Sequence, residues 1–177
     1  NFDIALLTNV GNIENKGVEF AVNTVPVKQN DLEWDLGFNF TYNKTEITNL
    51  LKQQDPNFKG IDVGGISGGT GNNIGKFAVG YAPFVYNVYK QIYDRTTGKP
   101  IESLYDDLNR DGRIDESDRY YYKKPSADVL LGINTQVIYK RISLGFAAHG
   151  SLGGYLYNNF NSNNGVLRAI KNPINFI

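Results

Sequence analysis

The chain has 177 residues, enough for one domain with a substantial core, and its 18 Lys and Arg residues balance its 18 Asp and Glu residues. This balance argues against nucleic-acid binding, and the absence of cysteine excludes disulfides and thiolate chemistry. The 12 Tyr, 10 Phe and 1 Trp fit an all-β protein with aromatic girdles, whereas no stretch approaches the roughly 18 apolar residues of a transmembrane helix.

The first predicted strand is Val18–Thr24, and Pro26 is expected to end it because proline cannot donate to a β-ladder. A polar turn at Lys28–Asp31 leads into the most regular strand, which runs to Asn43. Its apolar residues alternate without error with polar or small ones; they are Leu32, Trp34, Leu36, Phe38, Phe40 and Tyr42. A period of two indicates an extended strand with two unlike faces. Both a tilted membrane strand of about 9–11 residues and a soluble sandwich strand fit this pattern.

After this strand, the sequence predicts a long loop over 44–75 and an extended stretch over 77–93 that Pro83 interrupts. A turn at 96–100 then leads to a return strand over 101–105. An acidic loop over 106–127 follows. Two further long alternating strands are expected at 129–139 and 142–153, joined at Lys140 and Arg141. A polar Asn/Ser/Gly loop is expected over 158–165.

The loops are sorted by length, since short turns at 28–31 and 140–141 alternate with long excursions at 44–75 and 106–127. Outer-membrane barrels show this asymmetry, with short periplasmic turns and long external loops. The predicted fold is therefore all-β, with antiparallel strands forming part of a large transmembrane β-barrel and with long extracellular loops. The hairpin over 77–105 either crosses the membrane or projects above it, and both alternatives satisfy the parity of the strands.

Residues 107–118 match the calcium loop of an EF-hand at almost every position. A hard cation takes six or seven oxygen ligands, and alternate residues of a tight loop turn inward around a glycine, here Gly112. The candidate ligands are Asp107, Asn109, Asp111, the carbonyl of Arg113, Asp115 and Asp118. The alternative is an acidic turn whose carboxylates cap backbone amides. A bound calcium would be structural, and no organic cofactor is expected.

Other chemistry finds little support. Gly75–Lys76 lacks the flanking residues of a phosphate-binding loop, and the lone His149 has no cysteine to pair with. The carboxylates outside the acidic loop are scattered, so no glycosidase pair is indicated and the chain is not expected to be an enzyme. Four tyrosines fit sugar or peptide contact less well than sheet packing or girdle positions; they are Tyr81, Tyr86, Tyr89 and Tyr93.

Several segments resemble the SusC/RagA-like TonB-dependent transporters, in the order of that family and over nearly the whole chain. They are Asn9–Phe20, Gly80–Pro83, Val88–Gln91, Gly98–Ile101, Asp107–Asp115 with Asp118–Tyr120, Gly132–Asn134, Tyr139–Lys140 and Gly153–Asn158. One departure is Arg110, where the family more commonly has glycine.

The resemblance implies a C-terminal fragment of an outer-membrane barrel from Bacteroidetes, acting with a SusD-like surface lipoprotein to import glycans or peptides. TonB would supply energy through a plug that this chain lacks, as it lacks the closing strand. Residues 1–177 are thus expected to be one segment of a longer protein, contributing about six strands in contact with the lipid bilayer. Loops 44–75 and 106–127 would shape the substrate cavity or the lipoprotein contact.

Two rival hypotheses come from other classes. One is a soluble, calcium-stabilised β-sandwich that binds carbohydrate on exposed tyrosines. The other is a fragment of a secreted glycan-degrading enzyme, which predicts a pair of carboxylates in a cleft. A sandwich would enclose Trp34, Phe38 and Phe146 in a dry interior between two layers, whereas a barrel would leave them on a lipid-facing surface.

Overall fold

The computed structural model describes residues 11–50, 58–66 and 73–164. These residues form ten strands, one 3₁₀ turn (Glu116–Asp118) and one short helix, α1 (Asn159–Asn164). The strands are β1 (Gly11–Gln29), β2 (Leu32–Leu50), β3 (Ile61–Gly65), β4 (Asn73–Phe77), β5 (Val85–Tyr89), β6 (Gln91–Tyr93), β7 (Pro100–Tyr105), β8 (Arg119–Tyr121), β9 (Val129–Tyr139) and β10 (Ile142–Leu152). The prediction of an antiparallel all-β fold is confirmed.

The four long strands form one antiparallel sheet in the order β1-β2-β9-β10, which we call the wall sheet. Two tight turns close it at the same end, Asn30–Asp31 and Lys140–Arg141, and the Lys140 N–H donates to the Asp31 carbonyl across 2.8 Å. The chain between β2 and β9 leaves from the opposite end. The predicted sorting of short turns and long excursions is therefore present in the wall sheet.

The register of the wall sheet places every alternating set on a common side. Phe38 lies opposite Val22 on β1 and Ile133 on β9, and Ile133 lies opposite Ala148 on β10. The resulting apolar face consists of Val18, Phe20, Val22, Leu32, Trp34, Leu36, Phe38, Phe40, Tyr42, Val129, Leu131, Ile133, Val137, Tyr139, Ile142, Leu144, Phe146, Ala148 and Leu152. Phe146 is 60% exposed and Phe38 40% exposed, so no second layer encloses them. This exposure contradicts the sandwich hypothesis.

Three predicted strand boundaries were wrong. β1 begins at Gly11 rather than at Val18. β1 runs on through Pro26 to Gln29, because the register shifts between Thr24 and Val27 and a bulge can hold a residue that cannot donate to the ladder. β2 continues seven residues beyond Asn43, and this β2 extension pairs with the beginning of β1, residues 11–16. The predicted loop over 44–75 therefore begins as strand, and it also contains β3 and the start of β4. Its residues 51–57 and 67–72 lie outside the described residues.

The excursion between β2 and β9 folds into its own small sheets, β3-β4-β5-β8 and β6-β7. In the described residues, none of the strands within 77–105 joins the wall sheet, so this hairpin projects from the sheet end. The turn before β5 attaches to the β2 extension, since the Ile47 N–H donates to Tyr81 and the Gly80 N–H donates to Ile47. A small core of Ile47, Leu50, Ala78 and Val85 is buried at this junction.

Two further expectations need correction. The wall sheet has four described strands rather than about six, because the shorter strands belong to the projecting excursion. Residues 159–164 form α1 where a polar loop was expected, and the end of that predicted loop, Gly165, lies outside the described residues. In the part of the chain that the structure describes, neither helical segment is long and apolar enough to cross a membrane.

Candidate functional site: an amphipathic wall and its projecting loops

The apolar face has the height of a bilayer core. From Leu32 to Tyr42 the strand rises about 33 Å at about 3.3 Å per residue. A strand tilted by about 35–45° converts this rise into about 25 Å, the usual height of the lipid-facing band. Aromatic residues mark both margins, with Trp34 and Tyr139 near the tight turns and Tyr42 at the loop end. The height of the apolar face therefore matches that of the lipid-facing band of a membrane barrel.

The opposite, polar face is built from small and amide side chains. One cross-strand row contains Asn23, Gly37, Asn134 and Ala147, and the next contains Ala21, Asn39, Gly132 and His149. The amides lean over the glycines: a Cβ added at Gly37 would lie 1.9 Å from Asn134 Oδ1, and one at Gly132 would lie 2.2 Å from Asn39 Oδ1. This face offers hydrogen-bonding groups and little apolar surface, as the wall of an aqueous lumen requires. His149 is one exposed member of it.

The six predicted calcium ligands lie together in the projecting excursion, and most of their side-chain oxygens accept backbone N–H groups. Asp107 accepts from Arg110 at 2.6 Å and from Gly112 at 2.8 Å, through different oxygens. Asn109 accepts from Asp111 at 2.9 Å, and Asp111 accepts from Arg113 at 2.8 Å. These contacts are what the alternative of a self-capped acidic turn describes.

Asp118 occupies the centre of this loop and is fully buried. Its carboxylate accepts the backbone N–H of Asp115 at 2.9 Å and that of Leu108 at 2.8 Å, so it ties together the two ends of the loop. The hydrogen bond from Asp115 is the main reason why the pKa of Asp118 is lowered, and the N–H groups of Asn109 and Leu108 add to it. Together these donors outweigh the opposing effect of burial.

Hydrogen bonding within the loop does not decide whether its oxygens also surround a point where a metal ion could bind. Within residues 11–50, 58–66 and 73–164, no three His, Cys, Asp or Glu side chains are arranged so that they could hold a metal ion. The calcium hypothesis for Asp107, Asn109, Asp111, Arg113, Asp115 and Asp118 therefore stays a prediction.

Three of the four tyrosines singled out from the sequence pack within the chain. Tyr81 packs against Tyr121 with ring centroids 4.3 Å apart and ring planes tilted by 53°, and Tyr89 contacts Tyr105 with centroids 5.4 Å apart. The Tyr86 hydroxyl donates to the Tyr155 carbonyl at 2.7 Å. Tyr93 is 57% exposed on β6. These contacts favour packing over ligand contact for the first three.

The structure also brings together a group that the sequence did not indicate. A cavity of about 510 Å³ lies where β2 leaves β9, and Tyr42, Lys44, Tyr122, Lys123 and Tyr155 are among its lining residues. They come from three separate segments of the sequence, and none of these segments carries a recognisable binding motif. Only the pairing of β2 with β9 makes them neighbours, so no local pattern could have identified the cavity.

Comparison with known proteins places the chain beside one kind of membrane receptor. It is 40% identical over 164 residues to the TonB-dependent receptor SusC of Bacteroides thetaiotaomicron, covering 92% of this chain and 16% of the receptor. It is 27% identical over 168 residues to the TonB-dependent receptor P3 of Formosa agariphila, covering 86% of this chain and 16% of that receptor. The chain thus spans about 16% of the length of these relatives. No protein-family model matches it.

Solved structures agree on the fold. The structure of the RagAB peptide transporter matches with a TM-score of 0.64 and 21% identity over 86% of this chain and 16% of that chain. The RagAB peptide importer in its open-open state matches with a TM-score of 0.63 and 19% identity over the same shares. At this identity the likeness concerns the fold, and it supports the assignment of the wall sheet to a barrel.

Proposed function

Because this chain is a segment of the SusC/RagA-like family of TonB-dependent receptors, we propose that it forms part of the wall and the external loops of an outer-membrane channel that imports nutrients. The wall sheet carries this proposal. One of its faces is predominantly apolar on all four strands, and the other carries mainly polar or small residues, with Leu130 and Ile138 as the exceptions on β9. A strand between lipid and a wet lumen requires this arrangement.

The remainder of the receptor completes this function. Both outer strands of the wall sheet, β1 and β10, pair on one side only within the described residues, and unpaired backbone groups are costly in lipid. We propose that residues 1–177 are one segment of the barrel, and that the plug and the closing strand come from other parts of the protein. Energy from TonB would then reach the channel through that plug.

The partners follow from the relatives as proposals. One relative is named SusC and the matched structures are named as a peptide transporter and importer. We propose a SusD-like surface lipoprotein as partner and an oligosaccharide or a peptide as substrate. The excursion between β2 and β9 would contact one or both. Transport of this kind needs no catalytic residue in the segment, and the capped carboxylates of the acidic loop already serve its structure.

The test begins with topology, and the cysteine-free segment allows single labels. In the full receptor in intact cells, Lys99→Cys lies in the projecting hairpin and Asn30→Cys lies in a tight turn at the opposite end. A membrane-impermeant maleimide should label the first position and not the second, and the receptor without either substitution gives the background. Labelling of both positions in intact cells would contradict the proposed orientation.

Uptake is the second part of the test. Cells that carry the receptor should accumulate a labelled oligosaccharide or peptide, and a protonophore should abolish this accumulation because the proton gradient drives it. Replacing the hairpin 91–105 by a short Gly/Ser linker should reduce uptake or lipoprotein co-purification without unfolding the barrel. Uptake that is indifferent to the protonophore would contradict energy coupling through TonB.

For the acidic loop we propose structural calcium binding in addition to self-capping. The donor chemistry fits, since carboxylate and amide oxygens are the ligands that calcium prefers and each capped oxygen keeps a second lone pair. Calcium titration of the full receptor should show weaker binding for Asp111→Ala than for the matched control Asp94→Ala in the neighbouring hairpin. Equal affinity in the two variants would remove the metal and leave the self-capped turn.

A further inference from the structure

The 510 Å³ cavity lies immediately beyond the loop end of the apolar face. Tyr42 and Leu152 are the last residues of the apolar face on β2 and β10. The cavity is lined by residues that follow them, Lys44 and Glu46 on one side and Gly153 and Tyr155 on the other. In the proposed membrane orientation this is the level of the outer-leaflet headgroups. The inference therefore rests on the proposed function.

Three of the β2 residues that line the cavity lie on the same side of the sheet as the lipid-facing residues. Because side chains alternate along a strand, Lys44 and Glu46 share the face of Tyr42, and Lys16 shares the face of Val18. Lys16 lies directly opposite Lys44 in the ladder. The first charged row above the apolar band therefore carries a lysine on each of two neighbouring strands, and like charges directly opposite one another repel unless they are compensated.

The charges of this row are partly compensated within each strand. Lys16 Nζ lies 2.9 Å from Glu14 and Lys44 Nζ lies 3.2 Å from Glu46. Deeper in the cavity, Lys124 pairs with Asp128. The net charge of the group is nevertheless positive, because Lys123 has aromatic rather than carboxylate contacts.

Lys123 is the cation that the cavity leaves available. Its Nζ lies 4.5 Å from the centre of the Tyr155 ring and 5.1 Å from that of the Tyr122 ring. These rings hold the ammonium group at the cavity wall by cation–π attraction. The ammonium group also forms a hydrogen bond with Tyr155, which is the main reason why the pKa of Lys123 is raised. An ammonium group has three N–H donors, so others remain for an anion.

We propose that this cavity binds the phosphate of an outer-leaflet lipid headgroup, with Lys123 as the principal donor and Lys44 and Lys16 as the flanking cations. The hydroxyls of Tyr42, Tyr122 and Tyr155 can donate to the same headgroup. Continuity with the apolar face favours a lipid as the source of the phosphate, because its acyl chains would lie on Tyr42 and Leu152. A solute in the channel would meet the polar face instead.

The experiment uses the full receptor, extracted from outer membranes in mild detergent and analysed for bound lipid phosphorus per barrel. Lys123→Gln, and Lys16→Gln combined with Lys44→Gln, should each lower the retained phosphorylated lipid several-fold. The control Lys99→Gln removes an exposed lysine from the distant hairpin turn, and this variant should retain the lipid. Lys123→Arg keeps the charge and should restore binding. The heat-dependent gel mobility of a closed barrel confirms that each variant is folded.

Three outcomes decide the proposal. Equal lipid retention by the wild type and Lys123→Gln overturns it. Displacement of the lipid by millimolar inorganic phosphate also overturns it, because the site would then select a free anion. A receptor that retains lipid in a Lys123-dependent manner but imports nothing supports the lipid site while contradicting the transport function, so the two claims fail separately.

Discussion

The indole Nε1–H of Trp34 donates to the hydroxyl oxygen of Thr135 across 2.8 Å, between neighbouring strands of the apolar face. The Thr135 hydroxyl in turn donates to the Asp35 carbonyl at 3.1 Å. Two polar side chains on a lipid-facing surface thus satisfy each other and one backbone oxygen. The arrangement lets an aromatic residue stay at the margin of the apolar band without exposing an unpaired donor to hydrocarbon.

The first prediction concerns this pair. Thr135→Val should destabilise the folded receptor because it leaves the indole N–H without an acceptor, and Trp34→Phe should remove the need for one. A double-mutant cycle should give a coupling of about 0.6–1.7 kcal/mol, the range found for hydrogen bonds in membranes. Urea unfolding in lipid vesicles measures it, with Thr135→Ser as the control that keeps the acceptor. Additive effects of the two substitutions would show that water already satisfies the indole.

The second prediction separates the two faces of β10. Phe146→Arg places a charge in the middle of the apolar face and should cost about 2–4 kcal/mol, the usual penalty near the bilayer midplane. Its neighbour Ala147 points to the polar face, so Ala147→Arg should cost far less. The unfolding midpoints of both variants in vesicles provide the comparison. Similar costs at the two positions would mean that the apolar face does not meet lipid.

The long strands could be predicted from sequence because their alternation is a local property. The pairing of Phe38 with Ile133 follows once both strands present their apolar residues on one side, since a slip of one residue would reverse every side chain. The tight turn at Lys140 was equally local. Its φ of 55° lies in the left-handed region, and a short polar turn between two alternating runs predicts a hairpin.

The errors arose where tertiary context overrides local preference. Pro26 signals the end of a strand, but a bulge next to it lets the ladder resume at Val27 opposite Trp34. The β2 extension has no apolar alternation, and it is a strand because β1 pairs with it and because Ile47 bonds to the turn at Tyr81. The cavity beside Lys123 was equally hidden, since its lining residues are distant in sequence.

The third prediction contrasts two glycines of the wall sheet. A Cβ at Gly17 would lie 2.6 Å from the Tyr42 carbonyl oxygen, which the ladder holds in place. A Cβ at Gly37 would lie 1.9 Å from Asn134 Oδ1, but this amide can rotate away. Gly17→Ala should therefore cost about 1–3 kcal/mol, as overpacking does, and Gly37→Ala less than about 1 kcal/mol. Urea midpoints measure both.

A rescue test accompanies this contrast. Asn134→Ala combined with Gly37→Ala should remove most of the remaining cost of the glycine substitution, because the nearer obstructing amide is gone and only Asn23 Oδ1, 2.7 Å from the added Cβ, still has to move. No side-chain change can relieve Gly17→Ala in the same way. A larger loss for Gly37→Ala than for Gly17→Ala would show that the amides of the polar face are held rigidly.

The last prediction concerns the acid sensitivity of the acidic loop. The pKa of Asp118 lies below its ordinary value of 3.8, so its contribution is fully present above that value and is lost as the pH falls through the lower, folded-state pKa. The protection factors of the Leu108 and Asp115 amides against hydrogen exchange, which correct for the intrinsic dependence of exchange on pH, should therefore be high at neutral pH and fall in strong acid. Asp118→Asn should expose these amides already at pH 7, because the neutral amide is a weaker acceptor.

Glu116→Gln, at a side chain 85% exposed, is the control and should leave the exchange unchanged. Slow exchange in Asp118→Asn at pH 7 would assign the order of the loop to its remaining caps at Asp107 and Asp111 rather than to the buried carboxylate.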